Sequence, residues 1–86
     1  MKIYKYLLNV TDHQVIKLPY VWQILTIQKQ FDFFVMWALV DTNTKETEME
    51  IEMYGTGEEV REKANKMYIA TVQDGNLVWH FFRVMQ

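Results

Sequence analysis

Alternation of acidic and apolar side chains between residues 46 and 53 is the clearest pattern in this sequence. Glutamate occupies positions 46, 48, 50 and 52, and the positions between and after them hold Thr47, Met49, Ile51 and Met53. A helix would distribute these glutamates around its circumference, whereas a strand places all four on one face and the apolar side chains on the other. The pattern therefore predicts a strand with a solvated acidic face.

Three further strands are predicted in the first thirty residues. Residues 2–10 are more apolar at their even positions, which is a period-two pattern. Residues 14–18 form a short strand that ends at Pro19, a residue that cannot donate to a sheet ladder and so marks an edge or the start of a strand. Residues 21–30 are rich in β-branched side chains. Strict alternation there predicts one face with Trp22, Ile24 and Thr26 and the opposite face with Val21, Leu25 and Ile27.

Residues 33–40 contain no polar side chain, so as a strand they present apolar groups on both faces. A tight connection at Phe31-Asp32 is predicted to lead into this strand. One core layer covers only one of its faces, and a chain of 86 residues has little interior for a second layer. We therefore expect the other face to be buried against another subunit, a partner or a ligand.

Two turns are indicated by their residue types. The Asx and threonine chemistry of residues 41–44 predicts a surface turn before the acidic strand. Asp74-Gly75 predicts a hairpin, because a type I′ turn needs positive φ at both central residues. With a two-residue loop at that place, the expected cross-strand pairs are Ala70 with Trp79, Tyr68 with Phe81, Ile69 with His80, and Met67 with Phe82.

Residues 58–66 are the one candidate helix. Thr56 and Glu59 have capping-box spacing, and acidic side chains precede basic ones. Only Val60 and Ala64 are apolar in this segment, so an ordered loop is the alternative. The sequence as a whole predicts an all-β fold in a single domain, residues 1–86, with about seven antiparallel strands arranged as a small barrel or sandwich.

Composition and charge remove several classes of protein. The chain is half hydrophobic and 15% aromatic, which is too apolar for a disordered segment. It has no cysteine and no basic-then-apolar leader, so we expect a reducing cytoplasm rather than secretion. Its longest wholly apolar run is eight residues, against the ~20 that a membrane helix needs.

The net charge of −2 hides an uneven distribution, because all seven glutamates fall between positions 46 and 62. Residues 1–45 hold five lysines and three aspartates without forming a continuous basic stripe. We therefore expect no nucleic-acid binding through phosphates and no membrane binding.

Catalytic and metal chemistry is poorly represented. The chain has no serine and no cysteine, which removes the two commonest nucleophiles and every thiolate metal site. Alternate glutamates on a strand lie about 6.5–7 Å apart, too far for several to share one ion. Of the two histidines, His13 falls in a predicted turn and His80 is expected to be half-buried in a sheet. We predict no enzyme activity, no metal and no cofactor.

A binding role rests on a glycine loop and on aromatic side chains. Gly55-Thr56-Gly57 precedes a possible helix start, as in a loop that cradles an anion, although glycines also serve simply to form a turn. Aromatic side chains on strands can stack on a base or pack in a core. The candidate ligand- or partner-binding residues are Trp37, Tyr54, Thr56, Arg61, Trp79 and His80.

Several short segments spread over most of the chain carry a family resemblance. They include Ile3-Tyr4-Lys5-Tyr6, Gln14-Val15-Ile16-Lys17-Leu18-Pro19, Tyr54-Gly55-Thr56-Gly57, Tyr68-Ile69-Ala70-Thr71-Val72-Gln73 and Leu77-Val78-Trp79-His80-Phe81-Phe82. In these segments the chain resembles a family of small, poorly characterised proteins of bacteriophages and prophages. The resemblance implies a phage origin and action in the host bacterial cytoplasm, and it brings no catalytic residues.

The function that we expect from these features is non-enzymatic binding. The protein is expected to form a homo-oligomer through its apolar strands and to counteract a host antiviral defence, by binding a host protein or by sequestering a nucleotide signal. The alternative is a structural component of the virion or of its assembly.

Overall fold

The structure, a computed structural model, describes residues 1–62 and 65–85, and its strands form two antiparallel sheets. The strands are β1 (Lys2–Leu8), β2 (His13–Pro19), β3 (Trp22–Gln30), β4 (Phe33–Val40), β5 (Glu46–Gly55), β6 (Asn65–Asp74) and β7 (Leu77–Met85). The predicted all-β fold with seven antiparallel strands is confirmed. The sheets do not close into a barrel, so the arrangement is sandwich-like.

Strand order differs between the two sheets. The three-stranded sheet has the order β1-β4-β3, so the wholly apolar strand β4 lies at its centre. The four-stranded sheet has the order β2-β5-β7-β6, with β5 and β7 at its centre. Strand β2 is an edge strand and Pro19 is its last residue, as the sequence predicted.

One apolar core lies between the inner faces of the two sheets. Phe34 of β4 and Phe81 of β7 meet across it in an edge-to-face contact, with ring centroids 5.6 Å apart. Burial of a large apolar side chain stabilises the fold by about 1.5–3 kcal/mol. The buried members of the core are Leu8, Leu18, Ile27, Phe34, Met36, Ala38, Val40, Met49, Ile51, Met53, Val72 and Phe81.

Side-chain hydrogen bonds hold two of the connections between the sheets. In the predicted turn at residues 41–44, the Asn43 N–H donates to Asp41 Oδ1 at 3.0 Å, which is the expected Asx geometry. Between β1 and β2, the buried Gln14 side chain accepts from the Asn9 N–H and donates to the Asn9 carbonyl.

A β-bulge changes the predicted faces of β3. Trp22 and Ile24 pair with inner-face residues of β4, but the register shifts between Ile24 and Thr26. After the shift, Ile27 turns inward and Thr26 pairs with the outward-facing Trp37. Strict alternation was therefore wrong for this strand, because a bulge adds one residue and reverses every later side chain.

The last hairpin turns at Gly75-Asn76, one residue later than predicted. Asp74 pairs with Leu77, and φ is +60° at Gly75 but not positive at Asn76, as in a type II′ turn. A second bulge, at Ile69, shifts the register again. The predicted pairs are therefore wrong, and the observed ones are Tyr68 with Phe82, Ala70 with Phe81, Thr71 with His80, and Val72 with Trp79.

The candidate helix at residues 58–66 is not formed where the structure describes it. Residues 58–62 are irregular and residues 65–66 already belong to β6, while residues 63–64 lie outside the described residues. A segment with so short an apolar stripe gains little from a helix, and its side chains bind the neighbouring sheet instead. None of the described residues belongs to a helix that is long and apolar enough to cross a membrane.

We predict that Phe31→Gly raises the free energy of unfolding by about 1 kcal/mol, because the left-handed conformation costs a non-glycine residue about 1–2 kcal/mol. Phe31 has φ of +55° in the β3–β4 turn, and its side chain is 88% exposed, so the substitution removes no core packing. The measurement is urea unfolding of the purified protein. Phe31→Ala is the control, because it removes the same ring but keeps Cβ. Equal stability of the two variants would contradict the assignment of strain.

Candidate functional site

The six candidate binding residues lie in three different places. Tyr54, Thr56, Arg61 and His80 come together at one end of the outer face of the four-stranded sheet. Trp79 neighbours this group in the chain but packs against the core between the sheets. Trp37 lies apart from both, on the outer face of the three-stranded sheet. The six residues therefore do not form one site.

A buried carboxylate, Glu52, organises the end of the four-stranded sheet. Its Oε1 accepts a hydrogen bond from the Tyr54 hydroxyl at 2.8 Å and lies 3.0 Å from Lys66 Nζ. Its Oε2 accepts from Arg61 Nε–H at 3.3 Å. The interpretation of the glutamate row as a solvated face is right for Glu46 and Glu48 but wrong for Glu52, which the segment carrying Arg61 covers.

Besides its bond to Glu52, Arg61 makes three contacts that fix the irregular segment to the rest of the fold. Its guanidinium stacks on the Tyr54 ring, 4.5 Å from the centroid, and its backbone N–H donates to the Tyr54 hydroxyl at 3.2 Å. Its Nη2 donates to the Asp12 carbonyl at 3.3 Å, which joins the segment to the β1–β2 connection. The positive charge of Arg61 is thus already engaged by groups of the protein.

Glu52 and Tyr54 are among the members of this cluster with shifted pKa values. Burial acts to raise the pKa of Glu52, but hydrogen bonds from Lys66, Tyr54 and Arg61 outweigh it, so the pKa lies below its ordinary value. Burial raises the pKa of Tyr54, and its hydrogen bond to the Glu52 carboxylate raises it further. Both pKa shifts favour the same charge state, in which the Glu52 carboxylate is ionised and accepts a hydrogen bond from the neutral Tyr54 hydroxyl.

His80 lies in a chain of hydroxyl groups beside this cluster. Its Nε2 lies 2.8 Å from Thr56 Oγ1 and its Nδ1 lies 3.0 Å from Thr71 Oγ1. Thr71 in turn shares a hydrogen bond of 2.7 Å with the Tyr68 hydroxyl. Because a hydroxyl can donate or accept, both tautomers of a neutral imidazole are satisfied here. The ring is half-buried, as the sequence indicated.

The Gly55-Thr56-Gly57 loop uses its own polar groups internally. The Gly55 N–H donates to Glu58 Oε1 at 2.9 Å, so a carboxylate of the protein occupies an anion position of the loop. The Thr56 N–H donates to the Val78 carbonyl and the Glu58 N–H to the Gly55 carbonyl. These bonds leave the loop little capacity to cradle a phosphate.

Trp79 packs its ring against the backbone at Gly55, where an added Cβ would lie 3.4 Å from the indole. This distance is an ordinary van der Waals contact, so the indole packs closely on the backbone without excluding a Cβ. The indole N–H of Trp79 is buried and has no hydrogen-bond partner among residues 1–62 and 65–85. Trp79 therefore acts in the described structure as a core side chain.

The outer face of the three-stranded sheet is apolar and lacks a covering layer. It presents exposed Ile3, Leu7 and Phe33 together with half-buried Trp37 and Leu39. We call these five side chains the β4 outer patch. Lys5 is the only charged side chain that the register places among them, and no carboxylate is.

A hydrogen bond between polar side chains covers the middle of this face. Lys5 Nζ donates to Gln30 Oε1 at 3.2 Å. Because Lys5 pairs with Trp37 and Gln30 pairs with Phe33, the bond crosses β4 at the level of Val35. Val35 is wholly buried although it points outward. The Lys5–Gln30 bond thus covers Val35, whereas the β4 outer patch around it stays uncovered.

No group of three or more His, Cys, Asp or Glu side chains that could hold a metal ion occurs in the part of the chain that the structure describes. His13 pairs with Glu50 alone. Sequence reasoning missed Glu52 and Lys66 as a pair, because the glutamate row carries no sign of which member is covered. Only the tertiary path of residues 58–62 distinguishes them.

Comparison with known proteins gives one match. A family model described as "Domain of unknown function (DUF7352)" matches residues 1–86. No curated protein matches the chain, and neither does any solved structure.

We predict that Glu52→Gln lowers the free energy of unfolding at pH 7 by about 1.5–3 kcal/mol, the range for hydrogen bonds to a charged group. A carboxylate with a lowered pKa stabilises the folded state above its unfolded pKa, and this contribution is lost as the pH falls through the folded value. The difference between wild type and variant should therefore shrink below pH 4.5, the ordinary value for Glu52.

Urea unfolding at pH 7 and at several lower pH values measures this difference. Glu48→Gln is the matched control, since Glu48 is an exposed glutamate on the same strand and face. If both variants are equally stable at pH 7, or if the Glu52→Gln difference is independent of pH, the Glu52 cluster does not stabilise the fold.

Proposed function

The chain belongs to the DUF7352 family of domains of unknown function, and we propose that it is a non-enzymatic binding protein that self-associates through the β4 outer patch. The observation that carries this proposal is the exposure of large apolar side chains on that face, with Leu7 at 63% and Phe33 at 57%. Contiguous exposed apolar surface of this kind is typical of interaction sites. A second copy of the chain is the proposed occupant.

The size of the face fits a weak symmetric dimer. Three strands at a spacing of about 4.8 Å and eight residues at about 3.3 Å give a flat area of about 400 Å². Two copies would bury about 800 Å², which is below the range of about 1,200–2,000 Å² for stable specific complexes. Self-association should therefore depend on protein concentration in the micromolar to millimolar range.

The chemistry of the face also favours a second copy over a charged partner. A two-fold dimer brings the same patch together from both subunits, so its groups must be compatible with themselves. The β4 outer patch is apolar and is bordered by glutamine and threonine side chains, which can donate and accept equally. Lys5 is the one source of repulsion, and its ammonium is directed along the sheet toward Gln30.

The absence of enzyme activity is part of the proposal. Both ring nitrogens of His80 are hydrogen-bonded to threonine hydroxyls rather than to a glutamate. Arg61 and the glycine loop are engaged with groups of the protein, which disfavours a nucleotide phosphate at that end of the sheet. These contacts support a structural role for the polar cluster and a binding role for the apolar face.

The proposed setting is the host bacterial cytoplasm, and it rests on the resemblance to small bacteriophage and prophage proteins. There the dimer would counteract a host antiviral defence by binding a host protein or by sequestering a nucleotide signal. The alternative is a virion or assembly component. Mass spectrometry of purified virions distinguishes them: absence of the protein from particles supports the first role, and stoichiometric presence supports the second.

We predict that Leu7→Lys abolishes concentration-dependent self-association, because it places a charge in the apolar patch and repels its copy across a two-fold axis. Val15→Lys is the matched control. Leu7 and Val15 are both exposed outward-facing residues of edge strands, but Val15 is on the four-stranded sheet. Sedimentation equilibrium over a range of concentrations measures the association. A wild type that stays monomeric at millimolar concentration, or an equal effect of both variants, would contradict the proposal.

A further inference from the structure

Besides facing each other across the core, the two sheets meet along the neighbouring strands β3 and β6. An ion pair closes one end of this seam, and a cleft lies at the other. Lys29 near the end of β3 forms an ion pair with Asp74 at the end of β6. At the beginning of both strands, Trp22 of β3 and Met67 of β6 line the same cleft. The two strands therefore run side by side in the same direction, with a cleft at the end that holds Trp22.

Both strands carry a β-bulge at the open end of the seam. The register of β3 shifts at Leu25 and that of β6 shifts at Ile69. Bulges bend a strand and increase its twist, so two of them at the same level separate the strand edges. The result is a cleft of about 300 Å³, lined by Trp22, Gln23, Ile24, Leu25, Met67, Tyr68, Ile69 and Arg83.

Among the described residues that line this cleft, Arg83 is the one charged side chain. Its guanidinium lies over the Trp22 indole, with the carbon 4.7 Å from the ring centroid. Stacking on a planar ring fixes the guanidinium plane and leaves its N–H groups at the edge for a ligand. Arg83 is half-buried, so a bond to it is less screened than one at an exposed arginine.

The charge of Arg83 is not neutralised within the described chain. None of the carboxylates of residues 1–62 and 65–85 lies within 4.0 Å of its nitrogens, and none of those residues forms a side-chain hydrogen bond with it. Glu48 and Glu50 border a different, more polar pocket that Arg83 also touches, and Glu50 is paired with His13. The cleft itself contains no acidic side chain.

The width of the seam decides what kind of ligand fits. Cα atoms of β3 and β6 lie within 8 Å of each other, whereas an inserted strand needs about 9.6 Å, twice the usual spacing. Where the strands are this close, an extended peptide does not fit between them as an additional strand. A volume of about 300 Å³ lies at the small end of ligand pockets, and apolar walls with one placed charge are typical of them.

We propose that this cleft binds a small, planar, apolar molecule with a single carboxylate, whose ring lies between Trp22, Leu25 and Met67 and whose anion is held by Arg83. This site is separate from the β4 outer patch, and neither needs the other. The sequence analysis did not identify it, because the strands that form it are distant in sequence and the two bulges that open it leave no clear pattern.

The test uses three matched probes, namely 2-naphthoate as the anion, 2-naphthamide as its neutral counterpart and 2-naphthylmethylammonium as the cation. Nuclear magnetic resonance of the three tryptophan indole N–H groups locates the binding, since Trp22 lines the cleft, Trp37 belongs to the β4 outer patch and Trp79 packs against the core. We expect 2-naphthoate to shift Trp22 selectively and to bind about tenfold more tightly than 2-naphthamide.

Two variants at one position separate the charge from the apolar walls. Arg83→Gln should abolish the preference, so that 2-naphthoate and 2-naphthamide bind about equally. Arg83→Lys should still prefer the anion but bind it more weakly than the wild type does. The dispersion of the amide spectrum verifies that each variant is folded. Equal binding of all three probes by the wild type overturns the proposal without any variant, and so does a response at Trp37 in place of Trp22.

Discussion

The packing of one face of β4 against the four-stranded sheet is the constraint on which the rest of the structure depends. Phe34, Met36, Ala38 and Val40 fill the space between the sheets, and Phe34 meets Phe81 at its centre. A sandwich has one such space, so the opposite face of the same strand receives no second layer from the chain. The core and the exposed patch are thus two consequences of a single wholly apolar strand.

Polar side chains complete the surface where a second layer is missing. Lys5 and Gln30 bridge the three-stranded sheet over Val35, and the segment with Arg61 folds over Glu52 and Tyr54 on the other sheet. The difference between the two outer faces is chemical. The four-stranded sheet has charges that neutralise one another locally, whereas the three-stranded sheet has apolar side chains that only another apolar surface can satisfy.

Strand existence could be predicted from the sequence because it depends on local alternation. All seven strands, the Asx turn at residues 41–44 and the edge position marked by Pro19 follow from patterns within a few residues. Register could not be predicted to the same extent. Bulges at Leu25 and Ile69 each add one residue, and whether a strand tolerates that depends on the neighbouring strand.

The candidate site could likewise be predicted only in part, because it too depends on contacts between segments distant in the sequence. Tyr54, Thr56, Arg61 and His80 do come together, because the loop after β5 returns over its own sheet. Their role in mutual hydrogen bonding depends on Glu52, whose burial results from the tertiary path of residues 58–62. The cleft at Arg83 depends on how strands of the two sheets lie side by side, which no pattern along one strand encodes.

Accessibility of Trp37 as a function of protein concentration tests the central claim most directly. A soluble nitroxide broadens the resonances of solvent-exposed groups, so the indole N–H of Trp37 reports whether the β4 outer patch is covered. Our account predicts that this broadening is strong in dilute protein and decreases as the concentration rises, while Trp22 in the cleft is unaffected by concentration. Unchanged broadening of Trp37 up to millimolar protein would contradict it.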